Sequence, residues 1–281
     1  MISLKVMALL VICLATLLPP SYSQYQPLLL SGPSLHDSLS PAEKIIDLNL
    51  PKSQPAYNPS FRAFVIPGVL ISYGITSLKY KGLKNFNDEV KYEVYTESLP
   101  DKITIDNYLQ FAPAAAVYGL NALGVKGKHN FRDRSMIYLI SNCFLNSTVI
   151  AGKKICRQLR PDGSAYSSFP SGHTAEAFAS AEFMWQEYRD VSPIFGIAGY
   201  AMAATTGYLR MYNNKHWFSD VVTGAGIGIL STKLAYLIYP VIQHHLFKDR
   251  RPGTMLMPTL QNNAVGLALV AQPSSLFGSS R

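Results

Sequence analysis

The chain has 281 residues, of which 48% are apolar and only 15% are charged, and its formal net charge is +8. The charged share is well below the roughly 25% usual for soluble globular proteins, which indicates either an unusually apolar bundle or a protein that lies partly in lipid. A basic excess suits anionic lipid, a phosphorylated substrate or nucleic acid. Because the sequence has no zinc-finger, RNP or basic-helix pattern, we expect no nucleic-acid partner.

The N-terminal residues 1–23 are typical of an export signal. Lys5 precedes an apolar run from Val6 to Leu18, and Ser21 and Ser23 supply the small residues that a signal peptidase reads. The run is short for a bilayer span, so we expect a cleaved signal peptide and a location in the cell envelope of a bacterium. An uncleaved signal anchor is the alternative.

Residues 24–60 contain six prolines and are rich in serine, which predicts a flexible arm. From Phe61 onward, apolar stretches alternate with short polar loops. These stretches are rich in Ala, Gly, Ile and Leu and lack the alternation of β-strands, so we predict an all-α fold, a six-helix bundle over residues 61–245. The stretches are 61–79, 105–125, 134–152, 173–188, 193–209 and 219–243.

Small residues within these stretches would let the helices approach closely, as in membrane bundles. They include Ala114, Ala115, Ala116, Gly224, Gly226 and Gly228. Several stretches have only about 15–17 residues, which is marginal for crossing a bilayer, so a soluble bundle remains the alternative to the membrane-embedded bundle that we expect.

Basic residues cluster at 126–134 and again at 248–251. If both clusters face the cytoplasm, Lys153 and His216 lie on the periplasmic side. A cleaved signal followed by six spans would place them inside instead, and the sequence does not choose between these topologies. The C-terminal tail, residues 246–281, is predicted to be a flexible extension that holds two short strands around Asn262-Asn263.

Three clusters of polar residues carry the candidate chemistry. Three of their members are cations, and burying three cations near one another is costly unless an anion binds between them. Arginine can also form two parallel hydrogen bonds with a phosphate. The clusters are Lys153 with Arg160, then Pro170-Ser171-Gly172-His173, then Arg210 with His216 and Asp220.

The second and third clusters supply the remaining parts of a phosphate site. Ser171 and Gly172 precede a predicted helix, so their N–H groups and the Ser171 hydroxyl would face the anion. His216 and Asp220, four residues apart, would share a helix face, where the carboxylate orients the imidazole and the other ring nitrogen is free to attack phosphorus. His173 would protonate the leaving oxygen. We expect no metal, because the sequence has no H-E-x-x-H motif and no cysteine pair with ligand spacing.

In this order and spacing, the three clusters resemble the signature of the type 2 phosphatidic acid phosphatase and vanadium haloperoxidase superfamily. The resemblance implies an all-α six-helix core and no cofactor. It also implies His216 as nucleophile, Asp220 as its partner and His173 as general acid. The residues that it implies for phosphate binding are Lys153, Arg160, Ser171, Gly172 and Arg210.

The expected activity is that of a metal-independent phosphatase that uses a phosphohistidine intermediate. Its expected substrate and partner is a phosphorylated lipid: an isoprenyl diphosphate, phosphatidate, phosphatidylglycerol phosphate or lipid A. Three alternatives stay open. These are a soluble periplasmic acid phosphatase of broad specificity, a vanadate-dependent haloperoxidase and an inactive scaffold.

Overall fold

The computed structural model describes Tyr57, residues 59–97 and 101–246, and the backbone of residues 254–261 and 264–271. The predicted signal peptide and almost all of the predicted arm lie outside the described residues. The chain divides into two compact units, of which the first ends at Leu237 and the second begins at Ile238.

The described part of the first unit is helical, which confirms the predicted all-α fold. The last helix begins in this unit and continues past its end. The helices are α1 (Arg62–Ser77), α2 (Lys81–Lys91), which continues through a π-helical turn (Tyr92–Thr96), α3 (Asp106–Leu109), α4 (Ala112–Ala122), α5 (Phe131–Cys156), α6 (Gly172–Tyr188), α7 (Pro193–Tyr212) and α8 (Phe218–Leu246).

Two features of this helical region differ from the predicted stretches. The stretch 105–125 is divided into α3 and α4, and Pro113 lies in the first turn of α4, where proline suits a helix start. Helix α2 lies between the first two predicted stretches. Its sequence is mostly polar and it buries only Asn87 and Val90, so a search for apolar stretches passes over it.

Helix α6 lies at the centre of the helical unit. Nearly all of its residues are buried, and it contacts α4, α5 and α7. Ala177, Phe178 and Ala181 of α6 form one core cluster with residues of α7 and α8. The N-terminus of α6 is therefore held in a fixed position by the helices around it, which matters because the second polar cluster lies there.

The opposite end of α6 carries buried carboxylates that are paired. Glu182 accepts a hydrogen bond from Lys233 at 2.7 Å. Glu187 contacts His129 at 2.7 Å and lies 3.8 Å from Arg134. Buried carboxylates require cationic partners. Part of the basic segment 126–134 thus compensates the negative charge of Glu187 in α6.

Glycines of α8 allow this helix to approach its neighbours closely, as the small residues predicted. A Cβ at Gly224 would lie 2.6 Å from the Ser171 carbonyl oxygen, and a Cβ at Gly228 would overlap the Ala175 carbonyl oxygen. The α8–α6 distance, and with it the distance between the third and second polar clusters, depends on the absence of these methyl groups.

Replacing Gly228 with alanine is expected to lower the free energy of unfolding by about 2 kcal/mol or more, because the added methyl group meets backbone that cannot rotate away. Thermal unfolding in detergent measures the effect. The matched control is Gly68→Ala in α1, where a Cβ has no atom within 4 Å and the better helix propensity of alanine should add about 0.5–1 kcal/mol. Equal behaviour of the two variants would contradict the close packing.

Two helices within the described residues are long and apolar enough to cross a membrane, Phe131–Cys156 and Phe218–Gln243. A third candidate is the pair Arg62–Ser77 and Lys81–Thr96, which is bent by 96° at its break. The described helices therefore offer two or three candidate spans rather than six. Helix α5 exposes Leu139, Phe144 and Ile150, as a helix facing lipid would.

The second unit contains a pair of antiparallel strands, β1 (Thr254–Gln261) and β2 (Ala264–Ala271). Thr254 pairs with Ala271, and Gln261 pairs with Ala264. The two strands predicted around residues 262–263 are thus confirmed.

Candidate active site

The three polar clusters meet where the ends of four helices converge. Lys153 lies in the last turn of α5, Ser171 caps α6, Arg210 lies in the last turn of α7 and Asp220 lies in the first turn of α8. The Ser171 N–H donates to the Asp220 carbonyl oxygen at 3.1 Å, which ties the second cluster directly to the third.

His216 and Asp220 form a buried pair. Their Nδ1 and Oδ2 atoms are 3.4 Å apart, and the side chains are only 2% and 0% exposed. His216 lies in the loop before α8 rather than on the helix, so the expectation that both residues share a helix face is wrong in its geometry. The pair forms instead because Asp220, in the first turn of α8, is directed back toward this loop.

The Asp220 carboxylate is held in place by two further hydrogen bonds. Its Oδ2 atom accepts from the Ser168 hydroxyl at 2.5 Å and from the Trp217 N–H at 2.9 Å. Asp220 Oδ1 and His216 Nδ1 have no hydrogen-bond partner within the described residues. Since catalytic hydrogen bonds commonly tighten only once substrate is bound, this pair is placed to close further.

Burial lowers the pKa of His216 to about 4, and the neighbouring Asp220 carboxylate offsets part of that effect. The imidazole is therefore neutral at physiological pH. A neutral imidazole retains the lone pair that nucleophilic attack requires, so His216 needs no separate base to become a nucleophile.

The three cations of the clusters lie around this pair. Lys153 donates to the Ser167 carbonyl oxygen at 2.6 Å, and it lies within electrostatic range of Arg160, Asp220 and Arg210. The Nε atoms of Arg160 and Arg210 are buried and have no partner among the described residues. Buried donors without an acceptor are costly, and a bound anion would supply the acceptor.

Ser171 is more fully occupied by protein contacts than the sequence indicated. Its hydroxyl lies 2.8 Å from the Thr174 hydroxyl and accepts from the Thr174 N–H at 3.4 Å, while its own N–H is used by Asp220. The N–H groups of Gly172 and His173 follow in the first turn of α6, where backbone donors lack intrahelical partners. These two N–H groups are the better placed to receive an anion.

His173 lies half-buried beside Arg210. Burial and, to a smaller extent, the Arg210 cation together lower its pKa to about 4. An anionic phosphate bound between the cations would offset their charge and favour the protonated ring. His173 would then be able to act as an acid when substrate is present.

Two residues of α3 that sequence reasoning did not identify also contact this site. Arg210 Nη1 donates to Asp106 Oδ2 at 2.5 Å, and His173 Nε2 lies 3.0 Å from Asn107 Oδ1. In the sequence, an Asp-Asn pair at the start of an apolar stretch looks like an ordinary helix start. Ser168 was missed as well, since nothing distinguishes it from its serine neighbour.

The comparisons with known proteins agree with these clusters. Residues 134–243 match the sequence model of the PAP2 superfamily, and this segment contains all three clusters. This match confirms the resemblance to that superfamily noted from the sequence.

A lipid A 1-phosphatase of Porphyromonas gingivalis is 38% identical to the chain over 159 residues, which are 56% of this chain and 36% of that protein. The chain thus aligns with little more than a third of the length of this curated relative. Two solved structures are also similar. LpxE of Aquifex aeolicus has 19% identity and a TM-score of 0.35 over 60% of this chain and 92% of that chain. A transmembrane PAP2-type phosphatidylglycerolphosphate phosphatase of Bacillus subtilis has 15% identity and a TM-score of 0.38 over 66% and 98%.

Proposed function

We propose that this protein is a metal-independent phosphatase of the bacterial envelope that removes phosphate from a lipid through a phosphohistidine on His216. The observation that carries the proposal is the buried His216–Asp220 pair, 3.4 Å apart, at the point where the ends of α5 and α7 and the loop with Arg160 bring three cations together. A neutral, oriented imidazole surrounded by cations suits attack on a phosphate and few other reactions.

The reaction would proceed in two steps. First, Lys153, Arg160 and Arg210 hold the phosphoryl oxygens, and the free ring nitrogen of His216 attacks phosphorus. A P–N bond forms as the P–O bond to the lipid breaks, and His173 gives its proton to the departing oxygen. Asp220 stabilises the positive charge that develops on the His216 ring.

Water completes the cycle in the second step. His173, now neutral, takes a proton from a water molecule as the water oxygen attacks the phosphohistidine. The P–N bond breaks, inorganic phosphate leaves, and both histidines return to their starting states. The same cations stabilise the charge on the phosphoryl oxygens in both steps.

A lipid substrate is supported by the apolar surface next to the site. Ile105 and Tyr108 flank the two residues of α3 that reach Arg210 and His173, and they are 57% and 79% exposed. The lipid A 1-phosphatase relative makes a lipid A phosphate our first candidate within the lipid class. The predicted export signal supports a location in the envelope, and the basic clusters, if they face the cytoplasm, support a site that faces the periplasm.

A panel of phosphorylated substrates, assayed with and without EDTA, tests the proposal. The panel contains lipid A, phosphatidate, phosphatidylglycerol phosphate, an isoprenyl diphosphate and an aryl phosphate. We expect phosphate release from a lipid, with the highest kcat/KM on lipid A and no loss in EDTA.

Each other outcome points elsewhere. Activity on the aryl phosphate alone would favour an acid phosphatase of broad specificity, and inhibition by EDTA would contradict metal independence. Halide oxidation that appears only after vanadate is added would favour a haloperoxidase. No phosphate release from any substrate would favour a scaffold.

A further inference from the structure

The short helix α3 contacts two different parts of the proposed machinery through adjacent side chains. Asp106 is 1% exposed and its carboxylate pairs with Arg210 at 2.5 Å. Asn107 lies at the solvent edge and reaches His173 Nε2 at 3.0 Å. No residue of α3 belongs to the three polar clusters, so these contacts add something that the clusters do not contain.

The segment before α3 is fixed to the end of α7. The Ile103 N–H donates to Asn213 Oδ1 at 3.0 Å, and Asn213 Nδ2 donates to the Ile103 carbonyl oxygen at 2.6 Å. Asn213 follows Arg210 by three residues, so this reciprocal pair of hydrogen bonds places α3 relative to Arg210. These hydrogen bonds therefore hold Asp106 in a defined position next to Arg210.

The contact of Asp106 determines how Arg210 can approach a phosphate. Arg210 has several N–H donors in one plane. With Nη1 held by Asp106, Nε remains buried without a partner. The guanidinium is thus held at one edge and left open at another, which orients it before an anion arrives. Such preorganisation lowers the cost of binding.

The contact of Asn107 acts on the other side of the site. The side-chain amide of Asn107 fixes one ring nitrogen of His173, so it limits rotation of the ring and directs the second nitrogen. The charged and titratable groups around His173 are Arg210, Asp106, His216 and Arg160. Asn107 is neutral, which leaves the ring free to gain and lose its proton.

We propose that Asp106 and Asn107 are positioning residues, Asp106 for the phosphate-binding guanidinium of Arg210 and Asn107 for the ring of His173. This inference rests on the proposed phosphatase function and deepens it. Because α3 contacts both Arg210 and His173, it would set the distance between the bound phosphate and the proton donor.

Variants of Asn107 test whether this residue positions His173 as the proton donor. Asn107→Ala is expected to reduce kcat about tenfold with little change in KM, because the proton transfer is misdirected while phosphate binding is intact. Asn107→Asp puts a carboxylate beside the ring. Because an opposite charge favours the protonated imidazole, the alkaline limb of the kcat profile, which reports the substrate complex, should move up by about one pH unit. Asn85→Asp, which places the same charge on an exposed site of α2, is the matched control.

Variants of Asp106 test whether this residue positions the Arg210 guanidinium for phosphate binding. Asp106→Ala is expected to raise both KM and the inhibition constant of inorganic phosphate about tenfold, the effect of losing one charged hydrogen bond. Asp106→Asn keeps an acceptor for Nη1 and should restore most of the loss. Asp101→Asn, at an exposed position in the same segment, is the control. Lower KM in both Asp106 variants would show that Asp106 only repels substrate, and would overturn the positioning role.

Thermal unfolding separates positioning from loss of structure. If Asp106→Ala or Asn107→Ala does not fold, the isosteric variants Asp106→Asn and Asn107→Asp decide the question. An unmoved alkaline limb in Asn107→Asp, together with wild-type kcat in Asn107→Ala, overturns the role of Asn107. If the wild type hydrolyses nothing, the proposed function fails, and protection from unfolding by inorganic phosphate still tests Asp106. Equal protection of the wild type and Asp106→Ala would overturn its role.

Discussion

Replacing His216 with alanine is expected to abolish phosphate release, with kcat reduced by about four orders of magnitude or more, as when a covalent nucleophile is removed. The variant retains all three phosphate-binding cations, so inorganic phosphate should still protect it from thermal unfolding. Steady-state hydrolysis of the best lipid substrate measures the loss. Hydrolysis at more than a few per cent of the wild-type rate would contradict the mechanism.

The intermediate gives a second check on His216. Removing His173 slows the water attack that clears the enzyme, so His173→Ala with an aryl phosphate that needs no protonation should accumulate phosphoenzyme. The phosphate bound to this phosphoenzyme should survive alkali, be lost in acid and map to the peptide that contains His216. The double variant His173→Ala/His216→Ala should carry no bound phosphate.

Replacing Asp220 with asparagine is expected to reduce kcat about 10³-fold, because the amide cannot stabilise the positive charge that forms on His216 during attack. Binding of inorganic phosphate should change little, since no cation of the site is altered. Rapid-mixing assays that separate phosphoenzyme formation from its hydrolysis measure the effect on the first step.

Ser168 provides the matched comparison for Asp220. Its hydroxyl donates to the same carboxylate oxygen at 2.5 Å, but it does not carry charge. Ser168→Ala should therefore reduce kcat only about tenfold, the usual effect of one hydrogen bond to a charged group. A loss as large as that of Asp220→Asn would mean that orientation of the carboxylate, rather than its charge, dominates.

The three polar clusters were predictable because each combines rare residue types at fixed spacing. Lys153, His173 and His216 stand out in a chain with few charges, and the structure brings together the two helix ends and the loop that carry them. The polar helix α2 was not predictable from apolar patterning. It buries Asn87, whose side chain bonds to Ser219 of α8 at 2.9 Å, so its packing depends on long-range partners.

The α3 contacts could not be predicted for a related reason. Asp106 is separated from Arg210 by more than one hundred residues, and nothing near Asp106 in the sequence indicates that its carboxylate is buried. The position of Asp106 beside Arg210 depends on Asn213 at the end of α7, whose side chain accepts a hydrogen bond from the Ile103 N–H. The pairing exists only in the folded chain, where a buried carboxylate requires a nearby cation.

Helix α5 fixes the depth of the chemistry if it crosses the bilayer. Its exposed charges Arg132 and Lys154 are separated by about 33 Å along a helix, close to the roughly 30 Å thickness of a hydrocarbon core. Lys153 then lies at the level of the lipid headgroups. A phosphorylated lipid would reach the site by lateral diffusion, with its chains still in the membrane, and the energy of extracting a lipid would not be part of the reaction barrier.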